Sequence, residues 1–297
     1  MIGFLIDMLL RANDLALLAV GLSLVYSLVS FPNVAHVQYA ASGAFAAWAI
    51  ADRGVPLWLA IVLSMALTSI AAVVLHRAIF DRLIRSGPPV AMIGSLAVAM
   101  IAVSGFLAIF GSRPRRLPLA MEAPTMVAGA PVTPLALWTL SGTALLLAGL
   151  TMLLYFTPFG RALRALAANR TLTAACGIDP KRLADAVCAL SGAFAALGGI
   201  IIAASKQTYV LLGSDLLLPV FAAAIVGGLR NPLGAFGGAL IIAFGETLMT
   251  NLDVGAALGR QSWFLPLGYL PAASFSLIAI ILLWRPEGLF TRKTRSV

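Results

Sequence analysis

Few residues of this sequence could do chemistry, and three groups of them lie within or beside long apolar runs. The first group is the stretch 31–38, where Pro32 interrupts a helix because it has no backbone N–H to donate. Asn33, His36 and Gln38 bring polar side chains to that break. Polar groups at membrane depth are costly unless they face a cavity or a partner. These side chains therefore either line a path for a solute or form an ordinary polar turn at a membrane surface.

The second group lies in the stretch 226–238, where two short apolar segments meet at Asn231-Pro232. Gly227 and Gly228 precede the break and further glycines follow it, so two backbones can approach closely there. Short membrane segments interrupted by glycine and proline indicate a transport site, above all when each half of a chain carries one. Helix packing alone would produce the same pattern, and both interpretations stay open.

Glu246 is the clearest carboxylate inside an apolar run. An acid at membrane depth is by default a functional hypothesis, because an unpaired charge is costly there. Glu246 could line a path, couple transport to protons or pair with a basic residue. It also lies close to Asn251, near the end of its run, so it could instead reach water or cap a neighbouring helix.

The sequence carries no recognisable catalytic or nucleotide-binding pattern. It has no glycine-rich loop ending in Gly-Lys-Ser/Thr, no G-x-G-x-x-G after a strand and no H-E-x-x-H. Its two histidines, His36 and His76, are far apart, and its two cysteines, Cys176 and Cys188, lack the spacing of metal ligands. We therefore predict a non-catalytic protein with no metal site and no cofactor of its own.

The composition explains what surrounds these residues. Of the 297 residues, 61% are hydrophobic and 10% are charged, whereas a soluble domain carries about 25% charged residues. A water-soluble fold of this size could not bury so much apolar surface, so we expect the exterior of the protein to face a lipid bilayer. The net charge of +9 does not indicate nucleic-acid binding, because the basic residues lie mostly in short loops between apolar runs.

Nine apolar segments are long enough, or nearly so, to be membrane helices. They cover residues 15–31, 38–51, 56–75, 90–110, 133–155, 184–204, 215–229, 233–250 and 266–284. The second and seventh are short and could be half-helices or re-entrant pieces. The sequence thus predicts an all-α, polytopic bundle of about nine spans (roughly 8–10), some discontinuous, in a single transmembrane domain over residues 1–297. The first apolar run is expected to be retained rather than cleaved as a signal peptide.

Lysine and arginine placement predicts the orientation of these spans. With a cytoplasmic C-terminus, 13 basic residues fall inside and 7 outside, which favours an N-out, C-in topology. The inside segments are 32–37, 76–89, 156–183, 230–232 and 285–297. The cluster Arg113–Arg116 opposes this assignment.

The longest polar stretch, 156–183, is predicted to contain one short basic helix at the cytoplasmic face. Thr157 can cap this helix, and the run 158–176 is rich in alanine, leucine and arginine, which favour helix. Gly177 suits a left-handed stop. A solvated basic loop would explain the same composition.

Four motifs occur in order along this hydropathy frame. They are Asn33-Val34-Ala35-His36, the Thr157–Ala165 segment with its Gly-Arg-x-x-Arg-Ala core, the glycine-rich block Phe221–Gly238, and Arg285–Phe290. Together they resemble the membrane permeases of the branched-chain amino acid ABC transporters, in particular the shorter, LivH-type subunit, from about Leu15 to Phe290. Val34 departs from the aromatic residue usual in that family, and the Glu-Ala-Ala…Gly loop of many ABC permeases is absent.

The resemblance implies a multi-pass protein of the bacterial cytoplasmic (inner) membrane. Its partners would be a second, related permease subunit, two cytoplasmic ABC ATPases and a periplasmic substrate-binding protein. The 158–176 helix would dock onto an ATPase, with Arg161, Arg164, Arg170 and Gly177 as coupling residues. The two helix breaks and Glu246 would lie along the translocation path.

Two alternatives remain open at this stage. Related permeases carry urea, small amides or aromatic acids, and nothing in the spans selects leucine over these. A stand-alone, ion-coupled carrier of a small organic solute would also fit the apolar frame, with Glu246 as its coupling group.

Overall fold

The structure is a computed structural model, and it describes residues 2–119, 123–127, 130–252 and 267–290. Each of the nine apolar segments lies in a helix within those ranges, which confirms the helical class. The helices are α1 (Ile2–Val29), α2 (Gln38–Ala51), α3 (Leu57–Leu75), α4 (Asp81–Arg85), α5 (Pro88–Phe110), α6 (Pro134–Phe156), α7 (Pro158–Ala168), α8 (Arg170–Ala175), α9 (Pro180–Ser205), α10 (Leu212–Gly227), α11 (Pro232–Asn251) and α12 (Leu270–Trp284).

Shorter elements connect these helices. The 3-10 turns Val34–Val37 and Leu267–Tyr269 precede α2 and α12, and a π turn, His76–Phe80, joins α3 to α4. The strands β1 (Thr125–Val127) and β2 (Ala130–Val132) pair antiparallel before α6. This small hairpin was not predicted from the sequence, which indicated helices only.

Among the described residues, six helices are long and apolar enough to cross a membrane, so the protein is a multi-pass membrane protein. They are α1, the continuous α3–α4 segment, α5, α6, α9 and α11. The 14 residues of α2 and the 16 of α10 would rise about 21 and 24 Å, less than the roughly 30 Å of a hydrocarbon core. Both elements are short, as predicted.

The first helix begins much earlier than the predicted span at 15–31. It is continuous from Ile2 to Val29. Arg11, Asn13 and Asp14, which the hydropathy pattern excluded from the span, lie within this helix. Arg11 forms an ion pair with Glu246 of α11, and Asp14 forms one with Lys206 at the end of α9. Pairing removes much of the cost of burying them.

Helices α1 and α9 form the centre of the bundle. Of the residues in the most apolar stretch of each helix, 83% are buried in α1 and 72% in α9. The corresponding shares are only 11% in α5 and 22% in α6. The outer helices therefore present their apolar side chains to lipid. Small residues allow the central contacts: a Cβ on Gly199 would overlap the backbone of Ala40, so α2 and α9 touch through their backbones.

The basic stretch forms two helices where the sequence predicted one over 158–176. Asn169 has an extended backbone (φ −156°), and its side chain accepts a hydrogen bond from the Leu172 N–H at 3.0 Å. Asparagine competes for backbone groups in this way and favours a cap over a helix interior. The predicted cap by Thr157 and the left-handed Gly177 (φ +84°) are both confirmed.

The helix termini fall on two ends of the bundle. At one end of the bundle, α1, α10 and α12 begin and α9 and α11 end; we call it the Arg11 end. The Asn231 end is the opposite one, where α10 meets α11 and where α7 and α8 lie. Four basic residues used in the predicted charge count, Arg260, Arg292, Lys293 and Arg295, lie outside the described residues.

Candidate functional site

At the first break, the Asn33 side chain stabilises the local backbone. Its Oδ1 accepts a hydrogen bond from the Ala35 N–H at 3.1 Å and thereby caps the 3-10 turn. The Asn33 residue is only 5% exposed. An asparagine at this position satisfies a backbone donor that the turn would otherwise leave unpaired.

His36 joins the two central helices. It is fully buried, and its Nε2 lies 3.1 Å from the Leu18 carbonyl oxygen of α1. Because a carbonyl only accepts, Nε2 carries the hydrogen and Nδ1 is free to accept. The Oγ of Ser191 on α9 lies 3.3 Å from Nδ1 and 2.8 Å from the Gly21 carbonyl oxygen, and its single hydrogen can be donated to one of these two acceptors at a time. His36 therefore contacts α1 and α9 at once.

Gln38 is the polar residue of the first break that faces open space. Its Nε2 donates to the Ser214 Oγ at 3.3 Å. Its Oε1 is buried and accepts no hydrogen bond among the described residues. Gln38 and Ser214 line a cavity of about 270 Å³ whose other walls, including Met100 and Leu217, are mostly apolar.

The second break is a packed joint. Gly228 has a left-handed backbone (φ +97°), and the Asn231 N–H donates to its carbonyl at 2.8 Å. A Cβ on Gly227 would overlap the backbone of Gly234, so α10 and α11 meet without side chains between them. The Ser23 Oγ of α1 donates to the Leu229 carbonyl at 2.9 Å and holds the joint against the central helix.

The segment 285–290 forms hydrogen bonds to this joint. The sequence did not predict this contact. The Leu289 N–H donates to the Val226 carbonyl at 2.8 Å, and the Asn231 Nδ2 donates to the Phe290 carbonyl at 3.0 Å. The signal was present in the sequence as the Arg285–Phe290 motif. Only the fold shows that the motif pairs with the glycine-rich block.

Glu246 is buried and accepts two hydrogen bonds. Its Oε2 accepts from the Arg11 Nε at 2.5 Å and its Oε1 from the Ser274 Oγ at 2.5 Å. It is 1% exposed. Of the alternatives for this acid, the structure shows the basic partner.

Arg11 belongs to a wider network that the sequence analysis missed. Its Nη1 lies 4.0 Å from the Asp14 Oδ2, and the same oxygen lies 3.0 Å from the Lys206 Nζ. We call Arg11, Asp14, Lys206 and Glu246 the charged network. Two positive and two negative groups from α1, α11 and the end of α9 neutralise one another. An Arg–Asp pair at i, i+3 was the sequence signal for it.

A cavity of about 550 Å³ lies beside the charged network, and we call it the Arg11 cavity. Its polar lining, within the described part of the chain, comprises Arg11, Lys206, Tyr209, Asp215 and Glu246. The Tyr209 hydroxyl donates to the Asp215 Oδ2 at 2.8 Å. Burial, with help from Asp215, raises the pKa of Tyr209, in the α9–α10 connection, to about 12. The phenol therefore stays protonated at neutral pH and fixes the position of Asp215.

The residues expected to contact an ATPase lie at the Asn231 end. Arg161 and Arg170 are exposed, and Gly177 ends α8. Leu163 and Leu166 are buried, so α7 packs one face on the bundle and exposes the other. The exposed Arg164 donates to the Leu154 carbonyl of α6, which fixes α7 to that helix.

Comparison with known proteins relates this architecture to transport. A sequence profile described as branched-chain amino acid transport system / permease component matches residues 4–283. "Probable branched-chain amino acid transport permease protein LivH" of Methanocaldococcus jannaschii is 30% identical over 82% of this chain and 79% of its own length. The high-affinity branched-chain amino acid transport system permease protein LivH of Escherichia coli K12 is 24% identical over 93% of this chain and 91% of its own.

A solved structure shares the fold. "PsaBC from Streptococcus pneumoniae in complex with Fab" superposes with a TM-score of 0.50 and 12% sequence identity, over 96% of this chain and 92% of that chain. At this identity the likeness concerns the fold alone. The profile match extends over nearly the whole helical bundle and confirms the resemblance found in the four motifs. The chain therefore belongs to the family of branched-chain amino acid transport permeases.

Proposed function

We propose that this chain is the membrane permease subunit of an ATP-driven importer for branched-chain or similar amino acids. The family match over residues 4–283 carries this proposal. The proposed setting is a bacterial cytoplasmic membrane, with one transmembrane domain oriented N-out and C-in. In that orientation the Arg11 end faces the periplasm and the Asn231 end faces the cytoplasm, in agreement with the predicted excess of inside basic residues.

The proposed partners are a second related permease, two cytoplasmic ATPases and a periplasmic binding protein. The chain has no phosphate-binding loop of its own, so ATP hydrolysis is assigned to other subunits. Helix α7 suits an ATPase contact because Leu163 and Leu166 attach it to the bundle while Arg161 remains exposed. A push on α7 would reach α6 through the Arg164 hydrogen bond to Leu154.

The proposed translocation path follows α10. Asp215 and Leu216 of this helix line the Arg11 cavity, while Ser214 and Leu217 line the cavity beside Gln38. The short helix thus has open space on two sides. Asn33 and His36 would position Gln38, and Gly227, Gly228 and Asn231 would form the joint about which α10 moves.

Uptake into liposomes tests the proposal against an ion-coupled carrier. The complex with both permeases, the ATPases and the binding protein should accumulate L-leucine only with ATP inside the liposomes, next to the ATPases. This chain alone should transport nothing under a proton or sodium gradient. Gradient-driven uptake by the chain alone would contradict the proposal.

Charge reversal on α7 tests the coupling. Arg161→Glu should lower substrate-stimulated ATP hydrolysis several-fold, because it reverses an exposed charge without disturbing a described hydrogen bond. Arg164→Glu should lower it further, since it also removes the link to Leu154. Arg53→Glu, exposed at the Arg11 end, is the control. Normal stimulation in both α7 variants would disprove this docking role.

A further inference from the structure

We propose that the Arg11 cavity is a binding site for a zwitterionic α-amino acid with an aliphatic side chain. In this site Arg11 and Lys206 hold the carboxylate and Asp215 holds the ammonium group. The proposal rests on the proposed function and names a substrate site within it. The argument starts from the distribution of charge around the cavity.

The positive groups of the cavity have donors to spare. Lys206 uses one contact on Asp14, and its side chain is 56% exposed. Arg11 uses its Nε on Glu246, while Nη1 stands 4.0 Å from Asp14, beyond hydrogen-bond range. Both cations approach the same Asp14 oxygen, so their unused N–H groups lie close together. Two such cations are suited to a carboxylate, which accepts several charge-assisted hydrogen bonds.

The negative group of the cavity is Asp215. Among the residues that the structure describes, Asp215 forms no ion pair, in contrast to the two carboxylates of the charged network. Its Oδ2 accepts the Tyr209 hydroxyl, and that single hydrogen bond orients the carboxylate without neutralising it. Asp215 is exposed, so its carboxylate is accessible to a solute, and an ammonium group would form a charge-assisted hydrogen bond with it.

Among the residues that the structure describes, the remaining lining of the cavity is apolar. It is formed by Ile202, Leu212, Leu216, Pro219, Leu270 and Pro271. A cavity of about 550 Å³ lies within the size range of small-molecule sites, roughly 300–1,000 Å³. Charged groups of both signs and aliphatic side chains line the same cavity, a combination that matches an aliphatic amino acid. Urea and simple amides lack both charges, and an aromatic acid without an amino group lacks the partner for Asp215.

Calorimetry on the purified full chain in lipid nanodiscs, without the binding protein, tests this site. We expect saturable binding of L-leucine, with 4-methylpentanoate and isopentylamine each binding about ten-fold more weakly because each lacks one charge. Urea should give no saturable heat. No saturable binding of leucine up to its solubility limit, or equal binding of leucine and its two analogues, would overturn the proposal.

Two variants separate the two charged contacts. Asp215→Asn should bring leucine and 4-methylpentanoate to within about three-fold of each other, while leucine keeps its advantage over isopentylamine. Lys206→Gln should act on the carboxylate side and narrow the gap between leucine and isopentylamine. Asp52→Asn, an exposed aspartate that does not line the cavity, should change neither ratio.

These titrations test the binding site independently of the uptake experiment that tests the importer function. If Asp215→Asn and Lys206→Gln leave every affinity ratio unchanged, the cavity is not the site, even where uptake remains ATP-driven. If uptake is not ATP-driven but the ratios shift as expected, the site stands and the importer assignment fails.

Discussion

The two ends of the central helix α1 are held in different ways. At the Arg11 end, charged side chains from several helices meet beside an open cavity. At the Asn231 end, Ser23 and neighbouring backbone groups bond to the joint between α10 and α11, and glycines bring those backbones into contact. One end is joined by ion pairs between side chains and the other by backbone packing.

Under the proposed function, this difference separates substrate handling from scaffolding. Ion pairs made by long side chains can exchange partners with a charged solute at little cost in backbone geometry. Backbone contacts at glycines permit no such exchange, because any side chain between the helices would force them apart. We therefore expect mutations at the backbone contacts of the Asn231 end to affect folding rather than substrate. Mutations around the Arg11 cavity should affect substrate, and those that break an ion pair should lower stability as well.

The largest effect is expected from Gly227→Leu at the Asn231 end. A Cβ there overlaps the Gly234 backbone, so the loss of stability should exceed about 3 kcal/mol and folded protein should be lost. Gly149→Leu on α6 is the control, because a Cβ at Gly149 meets nothing within 4 Å. Yield of monodisperse protein in detergent is the measurement. Normal yield of Gly227→Leu would show that the joint is not tightly packed.

The next effect is expected at the Arg11 end from Glu246→Gln. Arg11 would lose its charged partner in a mostly buried pair, at a cost of about 3 kcal/mol. Thermal unfolding measures this loss, and Asp52→Asn, an exposed aspartate, is the control. The double variant Arg11→Gln/Glu246→Gln should recover part of the stability. Unchanged stability of Glu246→Gln would contradict the claim that ion pairs join the helices at the Arg11 end.

The smallest effect is expected from Ser191→Ala between the two ends. The hydroxyl contacts both Gly21 and His36, so its loss should cost about 1 kcal/mol. Thermal unfolding at low and high salt distinguishes this site from the ion pairs, because a neutral hydrogen bond should show little salt dependence. A loss above that of Glu246→Gln would reverse the ranking of the two kinds of contact.

Hydropathy and cap residues were sufficient to predict much of the fold. All nine apolar segments are helical, and Thr157 and Gly177 act as the sequence indicated. The early start of α1 was missed because a hydropathy pattern assigns Arg11 and Asp14 to water. Their partners come from distant positions such as Lys206, and no local pattern identifies such pairs.

The site was harder to predict than the fold for the same reason. The helix breaks drew attention to Asn33 and His36, yet both side chains are occupied by hydrogen bonds within the bundle. Asp215 lies beside an apolar helix start and carried no signal of its own. Its proposed role depends on Tyr209 and on the cations that line the same cavity, which only the folded chain brings together.

Uptake kinetics test most directly whether the Arg11 end handles substrate while the hydrogen bonds of Ser191 with α1 and His36 only hold the bundle. The assembled complex should be compared for ATP-driven L-leucine uptake as wild type, Asp215→Asn and Ser191→Ala. We predict that Asp215→Asn raises KM about ten-fold, while Ser191→Ala leaves KM unchanged. An unchanged KM in Asp215→Asn together with a raised KM in Ser191→Ala would contradict the account.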